Sequence, residues 1–186
     1  NSTVSGNKTN YHAGGILVTN GSDTNLNNVT VTDNTADFDS NSSGDGGGLH
    51  VQNGSALTAT NSIIAGNSDD SDPTNAPNCS AINGGVIVSG GYNLVGESDG
   101  CNWTNEAGDQ VGAIAAPIDP QLGPLADNGG DTPTHALLTE SPAIDAIPEG
   151  GTGYNGAPLT DQRGIARPQM TACDVGAYEK TMPVGG

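Results

Sequence analysis

Three histidines, four Lys or Arg residues and 21 acidic residues are the side chains of this 186-residue chain that could transfer protons or bind cations. A glycoside hydrolase needs two or three carboxyl groups around one glycosidic oxygen, and a calcium-dependent lyase needs clustered carboxylates beside a basic side chain. Lys8 is the only Lys or Arg before Arg163, and the acidic residues upstream lie mostly in variable polar stretches. We therefore expect no catalytic residues and no dedicated metal ligands.

The histidines do not form a recognisable motif. His12, His50 and His135 stand in unrelated contexts, and no G-x-S-x-G sequence occurs. His50 alternates with apolar neighbours on a predicted strand, which predicts that its ring faces solvent. His135 lies in PTHALL, where we expect it to fix a turn. The acidic run DDSD at residues 69–72 could bind calcium loosely, although a solvated loop is the simpler interpretation.

The composition favours many short strands. The chain has 29 Gly and 11 Pro and much Asn, Ser and Thr, which disfavour helix, while short Val, Ile and Leu clusters between turn formers are typical of strands. The net charge of −17 repels the nucleic-acid backbone, so we expect no nucleic-acid partner. Because no apolar run approaches the roughly 18 residues of a membrane helix, we also expect no membrane span.

One seven-residue phrase occurs three times, as NSTVSGN, NVTVTDN and NSIIAGN. Its last position aligns Asn7, Asn34 and Asn67, at intervals of 27 and 33 residues. A second phrase, with two glycines before apolar residues, occurs as GGILVTNG, GGLHVQNG and, more loosely, GGVIVSGG. Each repeat therefore contains two short strands separated by turns, and a unit of this size cannot bury its own apolar face.

Stacking the same strand of successive repeats predicts an all-β fold, specifically a right-handed parallel β-helix with strands about 4.8 Å apart. The aligned asparagines would then lie at corners, where their amides can bond from coil to coil. An antiparallel β-sandwich, in which the Asn-Gly pairs form hairpins, is the alternative. The two expected inward columns are Val4, Val31 and Ile64, and Ile16, Leu49 and Val86.

Two features suit an extracellular protein. Cys79 and Cys101 flank a glycine-rich stretch, which in a secreted chain predicts a disulfide; in a cytosolic chain all three cysteines would be reduced. The chain also contains eight N-x-S/T sequences, and glycosylation is a hypothesis for those in loops. These candidate glycosylation sites are Asn20, Asn41, Asn53, Asn78 and Asn102.

Beyond residue 100 the asparagine phrase stops and proline becomes frequent. DPQLGPLADNGGDTPTHALL, SPAIDA, TDQRGIARPQ and CDVGAYE follow in order, and GGYNLV lies between Cys79 and Cys101. In these motifs and its upstream repeats, the whole chain resembles the choice-of-anchor Q family of bacterial extracellular β-helix proteins. The resemblance implies a secreted or surface-displayed β-helix, with residues 1–100 as coils and residues 101–186 as the final coils and a loop-rich cap of one continuous unit.

The chain also departs from that family. A further cysteine often precedes TDQRG in the family, but IPEGGTGYNGAPL has none here, so Cys173 is expected to be a buried thiol outside any disulfide. A sorting signal often follows GAYE in the family, whereas KTMPVGG follows it here, which implies that an anchor is processed off or absent.

The two arginines are informative in so acidic a chain. Arg163 and Arg167 lie close in sequence to Asp161 and Asp174. Guanidinium and carboxylate groups form bidentate pairs, so we expect these four residues to hold the C-terminal loops together rather than to catalyse a reaction.

The first residue already belongs to the strand phrase. An uncovered first strand would offer unpaired backbone groups to another chain, although a trimmed fragment would look the same. We therefore expect a non-enzymatic extracellular structural protein without a cofactor, a homo-oligomer that stacks end to end into a surface filament or matrix. The alternatives are a fragment of a surface adhesin that binds carbohydrate or host ligands and, less well supported, a polysaccharide lyase.

Overall fold

The computed structural model describes residues 1–71, 77–148 and 156–182. Within these ranges the chain forms fifteen short strands and almost no helix, which confirms the all-β prediction. The strands are β1 (Ser2–Ser5), β2 (Ile16–Val18), β3 (Asp23–Asn27), β4 (Val29–Thr32), β5 (Thr35–Ala36), β6 (Leu49–Val51), β7 (Ala56–Thr60), β8 (Ile63–Ile64), β9 (Ser68–Asp69), β10 (Cys79–Ala81), β11 (Val86–Ser89), β12 (Leu94–Val95), β13 (Gln110–Val111), β14 (Leu122–Ala126) and β15 (Thr134–Leu137).

Most of the pairing is parallel. The main sheet has the strand order β1-β4-β8-β12-β13, the second sheet β2-β6-β10 and the third sheet β3-β7-β11, while β5 pairs with β9. Among the described strands, β14 and β15 form the one antiparallel pair. The chain visits the main, second and third sheets in that order three times, so each circuit adds one strand to each sheet.

The main sheet has the register that the repeats predict. Val4 lies opposite Val31, and Val31 lies opposite Ile64, which confirms the first expected column. The column continues to Val95 in β12. These side chains point into the inner core, together with residues of the second and third sheets.

The second expected column is only partly correct. Ile16 and Leu49 are in register, but Cys79 is the third member. Val86 instead pairs with Ala56 in the third sheet, and its side chain is half exposed. Cys79 follows Leu49 by 30 residues, whereas Val86 follows it by 37, so the strand of GGVIVSGG belongs to the third sheet and that of GGILVTNG to the second.

The Asn-Gly pairs at residues 20–21 and 53–54 form corners between strands of different parallel sheets, whereas Asn128 and Gly129 lie in the connection of the antiparallel β14–β15 hairpin. Asn20 and Gly21 have φ of 61° and 69°, and Asn53 and Gly54 have φ of 55° and 70°. Asn and Gly are the residues that accept this left-handed conformation at least cost. The N–H of Gly21 donates to the carbonyl of Asn53 over 3.2 Å, so consecutive corners stack.

The double glycines allow a close approach between circuits. A Cβ at Gly15 would lie 2.5 Å from the carbonyl oxygen of Gly48, and a Cβ at Gly48 would lie 2.5 Å from that of Asn78. Neither glycine has a positive φ. These positions therefore exclude side chains for lack of space.

The C-terminal cover, which we define as the described residues from 118 to 182, packs against the outer face of the main sheet. Ile63 and Leu94 point outward from that sheet into a second hydrophobic core, where they meet Leu137, Ile147 and Val175. The last strand of the main sheet, β13, lies within residues 101–186, where the final coils were expected.

Hydrogen bonds attach the cover to the first two circuits. The N–H of Ala177 donates to Thr30 Oγ1 over 3.0 Å, and Asn28 Nδ2 donates to the carbonyl of Gly176 over 3.3 Å. Thr3 Oγ1 donates to Gln162 Oε1 over 2.7 Å. As a result β4 is buried on both faces, as its burial pattern shows.

Within the part of the chain that the structure describes, no helix has the length and apolar character that crossing a membrane requires.

Candidate functional site

The aligned asparagines lie in one ladder of amide hydrogen bonds. Asn7 Nδ2 donates to Asn34 Oδ1 over 2.8 Å, and Asn34 Nδ2 donates to Asn67 Oδ1 over 2.9 Å. The ladder continues to Asn78, whose Oδ1 accepts from Asn67 Nδ2 over 3.0 Å. In each step the backbone N–H of the donating asparagine bonds the same oxygen. The amides therefore link four successive corners.

The disulfide between Cys79 and Cys101 is present, as predicted, and both residues are fully buried. Such a bond persists in oxidising compartments. Cys173 is buried in the second hydrophobic core and is not part of a disulfide. Residues 149–155, which belong to the stretch IPEGGTGYNGAPL, and residues 183–186 at the end of the sequence lie outside the described residues.

Four of the five candidate glycosylation sites are exposed, but Asn78 is not. Asn78 is fully buried, and its amide oxygen accepts two hydrogen bonds from Asn67. A glycan on this amide would have no path to solvent in the folded chain, so the expectation for Asn78 is corrected. The exposed sites are Asn20, Asn41, Asn53 and Asn102.

The C-terminal charges form a buried network. Arg163 Nη2 lies 2.7 Å from Asp161 Oδ2, the expected pair, and Arg163 also covers the ring of Tyr178 at 3.6 Å. Arg167, in contrast, pairs with Glu179 over 2.8 Å and not with the carboxylate of Asp174. The same Nη1 also donates to the backbone carbonyl of Asp174 over 2.8 Å. The sequence analysis missed Glu179 because proximity in sequence does not give the direction of a side chain.

The carboxylate of Asp174 has backbone partners. It accepts hydrogen bonds from the N–H groups of Asp145 and Lys180 over 2.7 and 2.6 Å. Burial, followed by the neighbouring charge of Glu179, raises the pKa of Asp174 to about 7. The whole network joins loops of the cover to one another, which is a structural role.

Ser5 and His135 form a hydroxyl–imidazole pair between the main sheet and the cover. Ser5 Oγ lies 2.8 Å from His135 Nε2, and His135 Nδ1 lies 2.8 Å from the carbonyl oxygen of Gly123. The carbonyl can only accept, so Nδ1 carries the proton and Nε2 accepts from Ser5. His135 is 2% exposed. His135 lies on strand β15 and not in a turn, so the expectation that it fixes a turn is corrected; we assign the pair to docking of the β14–β15 hairpin on β1.

The other two histidines meet at the outer face of the second sheet. His12 and His50 stack with ring centroids 4.3 Å apart and planes inclined by 10°. Asp45 Oδ2 lies 3.9 Å from His12 Nδ1. The potential metal-binding atoms of His12, Asp45 and His50 all lie within 4.8 Å of one another. Sequence analysis expected no metal ligands, yet the fold brings three ligand-type side chains together.

His50 is completely buried, so the expectation that it faces solvent is wrong. Its ring does lie on the outer side of β6, but the chain around His12 and Asp45 covers it. Burial, and then the nearby His12, lower the pKa of His50, while Gln52 and Asp45 act in the opposite direction. One signal was available in the sequence: His12 and Asp45 are 33 residues apart, each two residues before a double glycine.

Comparison with known proteins adds no relative to this description: no family model, no curated protein and no solved structure matches the chain.

Proposed function

We propose that the chain is a non-enzymatic extracellular structural protein built as a right-handed parallel β-helix. The observation that carries the proposal is the stacking of successive circuits in parallel register, with an asparagine ladder at one corner. In such a solenoid, stability comes from contacts between neighbouring repeats. The side-chain amides of the corner asparagines make hydrogen bonds between neighbouring circuits, which suits a scaffold.

Three features support the extracellular location. The buried disulfide is suited to an oxidising environment. The net charge of −17 favours solubility at a cell surface or in the medium. The resemblance to the choice-of-anchor Q family, on the motifs from DPQLGPLADNGG to CDVGAYE, points to the same location.

End-to-end association is the form of assembly that we propose for this scaffold. The strand β13 is the last of the main sheet, and no strand in the described ranges pairs with its second edge. The N–H groups of Gln110 and Gly112 bond β12, so strand geometry directs the N–H of Val111 to that second edge. An unpaired strand edge is a template for another chain, and repeated head-to-tail contacts grow filaments.

Electron microscopy and sedimentation velocity of the purified chain test this assembly. We expect fibres of uniform width in the wild type and their loss in Val111→Pro, because proline removes the edge donor. The matched control is Val111→Ala, which loses side-chain packing but keeps the donor and should still assemble. Monomers at high concentration, or fibres that persist in Val111→Pro, would contradict end-to-end stacking through this edge.

A second candidate, carbohydrate binding, is favoured by a groove of about 420 Å³ between β1 and the cover. Its walls carry hydroxyl and amide side chains that suit sugars, among them Ser2, Thr3, Thr132 and Gln162. Titration with soluble oligosaccharides, followed by NMR, tests this candidate. Cleavage of polygalacturonate or alginate in the presence of calcium would instead establish a lyase and refute the non-enzymatic role.

A further inference from the structure

The strongest feature that the structural role does not explain is the group formed by His12, Asp45 and His50. Backbone hydrogen bonds fix its position. The N–H of Ala13 donates to the carbonyl of Asp45 over 3.0 Å, which places His12 and Asp45 side by side in consecutive circuits. The loop before Asp45 is also attached to the first circuit, because the N–H of Phe38 donates to the carbonyl of Thr9 over 2.8 Å.

His50 is the anomalous member of this group. It is 0% exposed, and within the described ranges neither of its ring nitrogens has a hydrogen-bond partner. A buried polar atom without a partner costs about 1–3 kcal/mol, so most such atoms in proteins are satisfied by the protein, by water or by a ligand. His12 Nδ1 is likewise buried without a hydrogen-bond partner. Both histidines belong to the group that also contains the Asp45 carboxylate.

We propose that His12, Asp45 and His50 bind one divalent transition-metal ion of the zinc type. Two imidazoles and one carboxylate are a donor set that Zn²⁺ accepts readily, whereas Ca²⁺ and Mg²⁺ select oxygen ligands. The ion would bond one ring nitrogen of each histidine, and it would offset the charge of Asp45. This inference goes beyond the structural role and does not depend on it.

The donor spacing is close to that of a metal site, but the two rings are stacked with planes inclined by 10°, so one ring must turn before both in-plane lone pairs reach a single ion. A tetrahedral site with bonds of about 2.0–2.2 Å places its donor atoms about 3.4 Å apart. The three side chains have donors within 4.8 Å, so ordinary side-chain rotations bring them to that spacing. The side chains of His12 and Asp45 are 35% and 40% exposed, which leaves one side of the site open to water or another ligand.

The proposed ion links two circuits of the fold. His12 belongs to the first circuit, while Asp45 and His50 belong to the second. Binding to the folded chain alone raises its stability according to the concentration of free metal. A bound ion should therefore raise the melting temperature as well as occupy the site.

Calorimetric titration with ZnCl₂ in excess CaCl₂ and MgCl₂ tests the proposal, since these salts suppress general attraction to an acidic surface. The wild type should bind one Zn²⁺ per chain and melt at a higher temperature with it. Loss of a residue that merely orients a ligand lowers metal affinity about 10- to 100-fold, so His12→Gln and Asp45→Asn should each weaken binding at least about tenfold.

Asp23→Asn is the matched control, because Asp23 is exposed on β3 and its replacement changes the net charge by the same amount as Asp45→Asn. It should bind Zn²⁺ as the wild type does. His50→Gln should also lose binding, and circular dichroism reports whether that buried variant folds. If it does not fold, the partly exposed variant His12→Gln still tests the proposal. Absence of saturable Zn²⁺ binding, or equal affinity in His12→Gln and the wild type, overturns the proposal.

Discussion

Asn34 is the residue on which the corner ladder depends most. Its Oδ1 accepts from Asn7, and its Nδ2 donates to Asn67 Oδ1 and to the carbonyl oxygens of Val4 and Thr32. The side chain is completely buried, so no water can replace these partners. Removal of a buried hydrogen-bonding group leaves its partners unsatisfied, at about 1–3 kcal/mol for each.

We expect Asn34→Ala to lower the free energy of unfolding by about 3 kcal/mol, because it leaves buried amide and carbonyl groups of the ladder unpaired. Asn25→Ala is the control, since Asn25 is exposed on β3 and should change stability by less than about 0.5 kcal/mol. Urea denaturation of both variants gives the two values. Similar losses for the two substitutions would show that the ladder contributes little.

Glu97 is a buried carboxyl group close to the disulfide loop. It is 8% exposed, and its Oε1 has no hydrogen-bond partner among the described residues. Burial raises the pKa of Glu97 to about 7; Asn78 opposes this shift, and the charge of Asp99 adds to it. Because the folded chain binds this proton more tightly than the unfolded chain, the contribution of Glu97 to stability is complete below pH 4.5 and falls as the pH rises towards 7.

Glu97→Gln should therefore flatten the dependence of stability on pH. At pH 8 the variant should be more stable than the wild type by on the order of 2 kcal/mol, since glutamine has no charge to bury, and at pH 4.5 the two should be nearly equal. Thermal unfolding between these pH values measures the difference. Glu140→Gln, at an exposed position, should follow the wild type; parallel curves for Glu97→Gln and the wild type would refute the assignment.

Among the elements, the main sheet differs from the third sheet because it is covered on both faces. Its inward side chains enter the inner core, and its outward side chains enter the second core under the cover. The third sheet instead leaves outward side chains such as Val86 and Val88 about half exposed. Neighbouring residues of β8 divide between the two cores: Ile64 lies in the inner core and Ile63 in the second.

Ile63→Ala tests the lateral packing of the cover. Ile63 is completely buried, and loss of a buried isoleucine side chain to alanine costs about 2–5 kcal/mol, so we expect about 3 kcal/mol. Val86→Ala, on the outer face of the third sheet, should cost less than about 1 kcal/mol. Chemical denaturation measures both. A small effect at Ile63 would mean that the cover does not pack on the sheet in solution.

At the scale of the molecule, sequence reasoning succeeded where the repeats are regular. The repeated seven-residue phrase placed Val4, Val31 and Ile64 in one column, although its intervals are 27 and 33 residues, and it aligned the first three ladder asparagines. It gave no prediction where the phrase is absent: Asn78 joins the ladder only 11 residues after Asn67. A repeated phrase in the sequence predicts contacts only between residues that occupy the same position of that phrase.

The remaining features depend on contacts that no local pattern encodes. His50 has the strand alternation of a solvent-facing residue, and only the overlying loop buries it. The cover has no repeat, so its position beside the coils could not be inferred from spacing. Likewise the choice of Glu179 over Asp174 by Arg167 depends on how three separate loops pack.

The attachment of the cover to the second circuit bears on the order in which the chain matures. Thr30 receives its bond from Ala177, a residue 147 positions later. During synthesis, successive circuits can pair as they leave the ribosome. The outer face of the main sheet, however, stays exposed to solvent until nearly all of the described chain has been made. Contacts between such distant positions form slowly. Nascent chains are therefore most exposed to misassociation, and most in need of a chaperone, in the interval between the last circuit and the arrival of Ala177.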